Sequence, residues 1–185
     1  MRFFWFIGGE TGPWRMVKIE AIAGQGLPSA TRLHIAPGEA APAVSKAAWS
    51  LRGMTSNTRY THRQEKSVLV AKQAELGRAE ATCAALIPLR KNAAWWALSQ
   101  DERRRVFEAQ SKHIEIGLRY LPAVARRLHH CRDLGEYEPF DFLTWFEYAS
   151  AHEADFNTLI AELRASPEWT YVDREVDIRL VRETV

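Results

Sequence analysis

Six histidines are spread along the chain (His34, His62, His113, His129, His130 and His152), and His113 stands in the setting best suited to ligation. It shares one face of a helical pattern with Val106, Ala109, Ile116 and Gly117, so its imidazole points towards an apolar interior. An inward histidine on a helix is either a hydrogen-bonded core residue or a metal ligand. No HxxxH or HxxE around His113 places a second ligand within helical reach, which speaks against zinc and di-iron centres. A lone imidazole is complete only when the metal brings its other ligands with it, as the iron of a porphyrin does.

Arg126 is the second residue of interest. In a strand, Arg126 and Leu128 share one face while Arg127 and His129 take the other; Phe142, Thr144, Phe146 and Tyr148 share a face of the next strand. An inward arginine among such neighbours is costly unless it meets an anion or a carboxylate. The alternative is a shifted register that leaves Arg126 in solvent. Cys83 and Cys131 form neither CxxC nor CxxCH, so a zinc ribbon, a thioredoxin-type motif and a covalently attached c-type haem lack support. Nothing requires the two to pair.

The elements that must position these residues are clearest in the second half. Ala79–Leu89 reads as a buried strand. Ser99-Gln-Asp-Glu102 is a capping box, and a helix should run from it to about Tyr120, carrying His113 in its middle. Val124–Asp133 and Phe140–Ala149 read as strands. A second capping box, Ser150-Ala-His-Glu153, opens a helix with the stripe Phe156, Leu159, Ile160 and Leu163. Pro167 ends it, and Trp169–Val181 supplies a last strand. The order is β-α-β-β-α-β, the ferredoxin-like arrangement.

The first part, with strands expected at Phe3–Ile7, Trp14–Ile22, Thr31–Ala36 and near 57–61 and a short helix at Ala41–Leu51, reads as a shortened copy of the same unit. The expected fold is therefore α+β: residues 1–78 as a shortened ferredoxin-like half and 79–185 as a full one, side by side in an α+β barrel.

Composition narrows the function. Twenty-five basic residues balance 23 acidic ones, too even for a nucleic-acid binder. Arg103-Arg104-Arg105, the densest basic run, is most simply a solvated helix face. Seven tryptophans suit either a pocket or a core. The apolar run at Phe3–Ile7 is too short for a signal-peptide core or a membrane span, which favours a cytoplasmic protein.

Taken in order, Ile87-Pro-Leu-Arg-Lys91, Trp95-Trp96, His113, Arg126 and Thr144-Trp-Phe-Glu147 resemble the haem-binding half of the chlorite dismutase family. The resemblance runs from about Thr55 to Val181, and the short first part is similar to the family's dimeric clade. It implies non-covalent haem b with His113 as the iron's protein ligand and Glu168 as the carboxylate bonded to the other ring nitrogen. It implies that Arg126 faces the anionic substrate, chlorite, within a dry pocket walled by Leu128, Thr144 and Phe146. Lys91, Tyr60, Asn57 and Trp95 match positions that hold the haem propionates. In the implied chemistry, ferric haem takes one oxygen from chlorite, and the resulting ferryl and hypochlorite recombine to chloride and dioxygen. Partners beyond the substrate anion and a second copy of the chain, such as nucleic acid or membrane, are not expected.

Coproheme decarboxylases share His113 and Lys91 but carry a reactive tyrosine in Tyr-Pro-x-x-Lys, where this chain has Ile87, and many carry glutamine where Arg126 stands. A haem sensor or carrier of the same fold is the non-enzymatic alternative. A plain peroxidase suits the residues less well, because a distal arginine without a distal histidine is a poor acid–base pair for peroxide.

Overall fold

The computed structural model describes residues 2–56 and 63–183. Asn57, Tyr60 and the strand expected near 57–61 lie outside the described residues. The first four strands are β1 (Phe3–Gly9), β2 (Trp14–Ala23), β3 (Arg32–Pro37) and β4 (Trp49–Thr55), followed by helix α1 (Arg63–Lys72). Strand β5 (Cys83–Lys91) leads into a helical stretch of α2 (Ala93–Ala97), α3 (Gln100–Arg104), a π-turn (Arg105–Gln110) and α4 (His113–Arg119). Then come β6 (Ala125–His130), β7 (Phe142–Tyr148), α5 (Glu153–Arg164), a 3-10 turn (Pro167–Tyr171) and β8 (Val172–Arg182).

The eight strands close into one antiparallel barrel in the order β1-β3-β2-β8-β5-β7-β6-β4. Numbered within each set of four, both β1–β4 and β5–β8 run fourth, first, third, second around the wall. The sets differ in what joins their first two strands. From β5 to β6 the chain crosses the intervening β7 by way of helices α2 to α4. From β1 to β2 it crosses β3 in only a few residues, and Gly12 makes that possible. Gly12 has φ +132°, and a Cβ there would lie 2.2 Å from the Leu33 carbonyl oxygen. Gly12→Ala is therefore expected to lower the unfolding free energy by at least the ~1–3 kcal/mol of a strained backbone, read from a urea midpoint.

No helix forms at Ala41–Leu51. Trp49 and Leu51 are buried while Ser50 is exposed, a period of two, and the Trp49 indole donates to the Pro28 carbonyl at 3.1 Å. Pairing with β1 across Trp49↔Gly8 to Met54↔Phe3 thus overrides the weak helical spacing.

Alternation divides the apolar residues between two layers. Phe6, Leu33, Leu86, Trp145 and Ile178 fill the barrel interior. On the outer face of the second set, Ala85, Ile87, Phe146 and Tyr148 pack beneath Ile116 and the stripe Phe156, Leu159, Ile160 and Leu163 of α5. Full burial of a Leu, Ile or Phe side chain among them stabilises by about 1.5–3 kcal/mol. The first capping box forms, with Ser99 N–H donating to Glu102 Oε2 at 2.8 Å. The second does not: Ser150–His152 is a 3-10 turn closed by His152 N–H on the Ala149 carbonyl, and α5 starts at Glu153. Both cysteines are free thiols. Among the described residues no helix is long and apolar enough to cross a membrane.

Candidate active site

The expected continuous helix through His113 is broken. After α3 the chain widens into the π-turn, Lys112 takes a left-handed conformation (φ 52°), and His113 becomes the first residue of α4. Side chains compensate for the break. Glu108 Oε2 accepts the Ile114 N–H at 2.8 Å, and Ser111 Oγ accepts the Glu168 N–H at 2.8 Å. π-Turns of this kind concentrate at functional sites. Here the turn brings Phe107 flat against the imidazole, with ring centroids 4.4 Å apart.

His113 Nδ1 lies 2.7 Å from Glu168 Oε2. The other Glu168 oxygen accepts from Lys91 Nζ at 2.8 Å, and both carboxylate and ammonium are buried. Burial alone would raise the Glu168 carboxyl, but the opposed charges of His113 and Lys91 outweigh it and hold it at about 2. Burial also disfavours the charge on Lys91, against the pull of Glu168. This pairing changes the role expected of Lys91. A buried ammonium needs a carboxylate, so Lys91 is committed to Glu168 behind His113 and is not a free cation for a propionate.

The pairing has a pH consequence. A carboxyl held below its ordinary value contributes stability that is complete above about 4.5 and is lost as pH falls towards 2. In haem-free protein the advantage of the wild type over Glu168→Gln should shrink by about 3 kcal/mol across that window. Urea midpoints measured at a series of pH values check this.

Arg126 pairs across the sheet with Phe146, and Leu128 with Thr144, so the expected register holds. All four, with Phe142, line one cavity of 860 Å³ that His113, Lys91, Trp95 and Glu168 also line. The volume is that of a site for a large cofactor. The Arg126 guanidinium packs on Gly117, one turn beyond His113, where a Cβ would lie 1.8 Å from its Nη1. No ion pair to Arg126 forms among the described residues, and loss of surrounding water pulls its pKa down to about 10. It remains charged at neutral pH. A half-buried cation with no carboxylate partner among the described residues, open to a cavity, is a place for an anion.

Trp95 sits in the same wall, its ring centroid 4.6 Å from Lys91 Nζ. Of the basic run, only Arg105 is a solvated side chain. Arg103 and Arg104 line the cavity, and Arg103 donates to the carbonyls of Trp95 and Trp96. Sequence reasoning passed over Phe107, Ser111, Gln73 and Trp169. Gln73 lines the cavity and donates to the Arg126 carbonyl. Ser111, a polar residue in an otherwise helical pattern two places before His113, was the one legible signal.

The donor set fits a haem. Among the described residues no three His, Cys, Asp or Glu side chains converge on a bare metal ion. His113 offers one ring nitrogen with the other already engaged, the arrangement of an axial ligand with its supporting carboxylate.

Comparison with known proteins identifies the family. The chlorite dismutase family model matches residues 37–183. A chlorite dismutase of Ideonella dechloratans is 35% identical over 86 residues, 46% of this chain and 27% of that protein, so the match spans about a quarter of that relative's length. The structure of dimeric chlorite dismutases from Nitrobacter winogradskyi is 54% identical, covering 97% of this chain and 99% of that one, with a TM-score of 0.88. A mutant chlorite dismutase from Candidatus Nitrospira defluvii shares the fold at 17% identity, over 98% and 92% of the two chains, with a TM-score of 0.64. This chain belongs to the chlorite dismutase family.

Proposed function

We propose that the chain is an enzyme that binds haem b non-covalently through His113 and decomposes chlorite to chloride and dioxygen. One observation carries the reading: an imidazole backed by a buried carboxylate lines the same cavity as an arginine that has no acidic partner among the described residues. Bound haem supplies the redox-active iron at which chlorite is cleaved and the O–O bond is made. Glu168 accepts from His113 Nδ1–H, which fixes the tautomer and makes the imidazole more electron-donating. Arg126 holds the substrate anion and keeps hypochlorite from leaving before the second step, as a permanent charge in a dry site can. Leu128, Thr144 and Phe146 exclude water and other oxidisable molecules. Trp95, Asn57 and Tyr60 are proposed to hold the propionates.

The decarboxylase alternative loses support because Ile87 has no phenol and no tyrosine lines the cavity among the described residues. On the same reading the two sets of strands are ferredoxin-like halves, the first without a crossover helix. The chain forms a homodimer like its Nitrobacter winogradskyi relative, and light scattering should give twice the chain mass. Titration of haem into the purified protein tests the central step. One equivalent should produce a saturating absorption band of a histidine-bound haem, and unsaturated, non-stoichiometric uptake would contradict it.

A further inference from the structure

The buried pair behind His113 extends further into the protein than a ligand and its carboxylate require. Lys91 Nζ lies 4.6 Å from the centroid of Trp95 and 5.4 Å from that of Trp169, so two indole faces and the Glu168 carboxylate surround the ammonium. Trp169 is itself held from behind. Its Nε1–H donates at 2.7 Å to Oε2 of Glu175, a carboxylate with no exposed surface. The other Glu175 oxygen takes Arg164 Nε at 2.9 Å and Nη2 at 2.6 Å, and Arg164 Nη2 also reaches Asp177 Oδ2 at 3.0 Å. The contacts therefore join the last turn of α5, strand β8, the turn at Pro167–Tyr171, strand β5 and finally α4. Glu175 needs no indole donor to be satisfied, since Arg164 already pairs with it. Trp169 needs Glu175, because that bond fixes which way the ring faces.

We propose that Trp169, oriented by Glu175, is a positioning residue that clamps Lys91 onto Glu168 and so limits how much negative charge Glu168 directs at His113. The physics has a definite sign. A cation over an indole face gains about 0.5–2 kcal/mol, and an indole whose N–H donates to a carboxylate is the more electron-rich for it. While Lys91 is clamped, Glu168 shares its charge between the ammonium and the imidazole. With the clamp loosened, the carboxylate pulls harder on the Nδ1 proton, the imidazole becomes more imidazolate-like, and oxidised iron is favoured. The inference rests on the haem-ligand reading of His113.

The test uses the full chain carrying haem, poised at one fixed potential, with the reduced-to-oxidised ratio read from its absorption spectrum. Trp169→Leu, which lacks both the ring face and the N–H, should lower the ratio about twofold to thirtyfold. Trp169→Phe, which keeps a ring face, should fall between Trp169→Leu and wild type. Lys91→Met should shift the ratio the same way and further. In ¹⁵N-labelled protein, Glu175→Gln should move the Trp169 indole resonance and speed its hydrogen exchange, a readout that needs no haem. Variants that bind haem and keep the wild-type ratio overturn the proposal, even if their melting temperatures fall, because Trp169 would then be packing alone. An unchanged indole resonance in Glu175→Gln overturns the orienting role of Glu175. Failure of the wild type to take up haem defeats the ligand reading itself, and this extension with it.

Discussion

Arg126→Ala protein is expected to bind haem normally, to turn chlorite over about a hundredfold more slowly, and to destroy itself while doing so. Haem binding survives because His113, Glu168 and Lys91 form their contacts without the arginine. The rate falls because a charge-assisted anion contact in an enclosed site is worth a few kcal/mol. Bleaching follows from lost confinement: hypochlorite that no cation retains can leave the pocket and attack the porphyrin. Methionine, which reacts with hypochlorite, should prolong the activity of the variant far more than that of the wild type. Equal total turnovers in both proteins, or bleaching that methionine leaves unchanged, would make Arg126 a packing residue on Gly117.

His113→Ala is expected to have the largest effect on the cofactor itself. The variant should purify with little haem, or with haem whose spin state added imidazole restores. Its loss of affinity should exceed the roughly ten- to hundredfold cost of removing a supporting partner, which is what Glu168→Gln should show. The ranking matters, since it separates the ligand from the group that orients it. A variant with full haem content and an unchanged spectrum would mean that another residue ligates the iron.

The shared face of Arg126, Leu128, Thr144 and Phe146 was legible from the period of two, and the pairing with β7 decided between that register and the shifted one. The stripe of α5 was legible for the same reason at helical spacing. The break before His113 was not, because its causes are distant or unpaired in any local pattern. Ser111 turns towards the Glu168 backbone 57 positions away, and Glu108 caps Ile114 only once the turn has opened. The pairing of Lys91 was not legible for a related reason, since only the arrival of Glu168 from 77 positions on buries it. The missing helix at Ala41–Leu51 shows the opposite error, a few apolar residues at helical spacing outweighed by pairing with β1.

Dissolved oxygen, recorded as chlorite is added to haem-loaded protein, tests the central claim most directly. The expected trace rises at once, with one dioxygen released and one chloride formed for each chlorite consumed. A protein that carries haem on His113 yet releases no oxygen from chlorite would contradict the claim, and would leave a haem carrier or sensor of the same fold in its place.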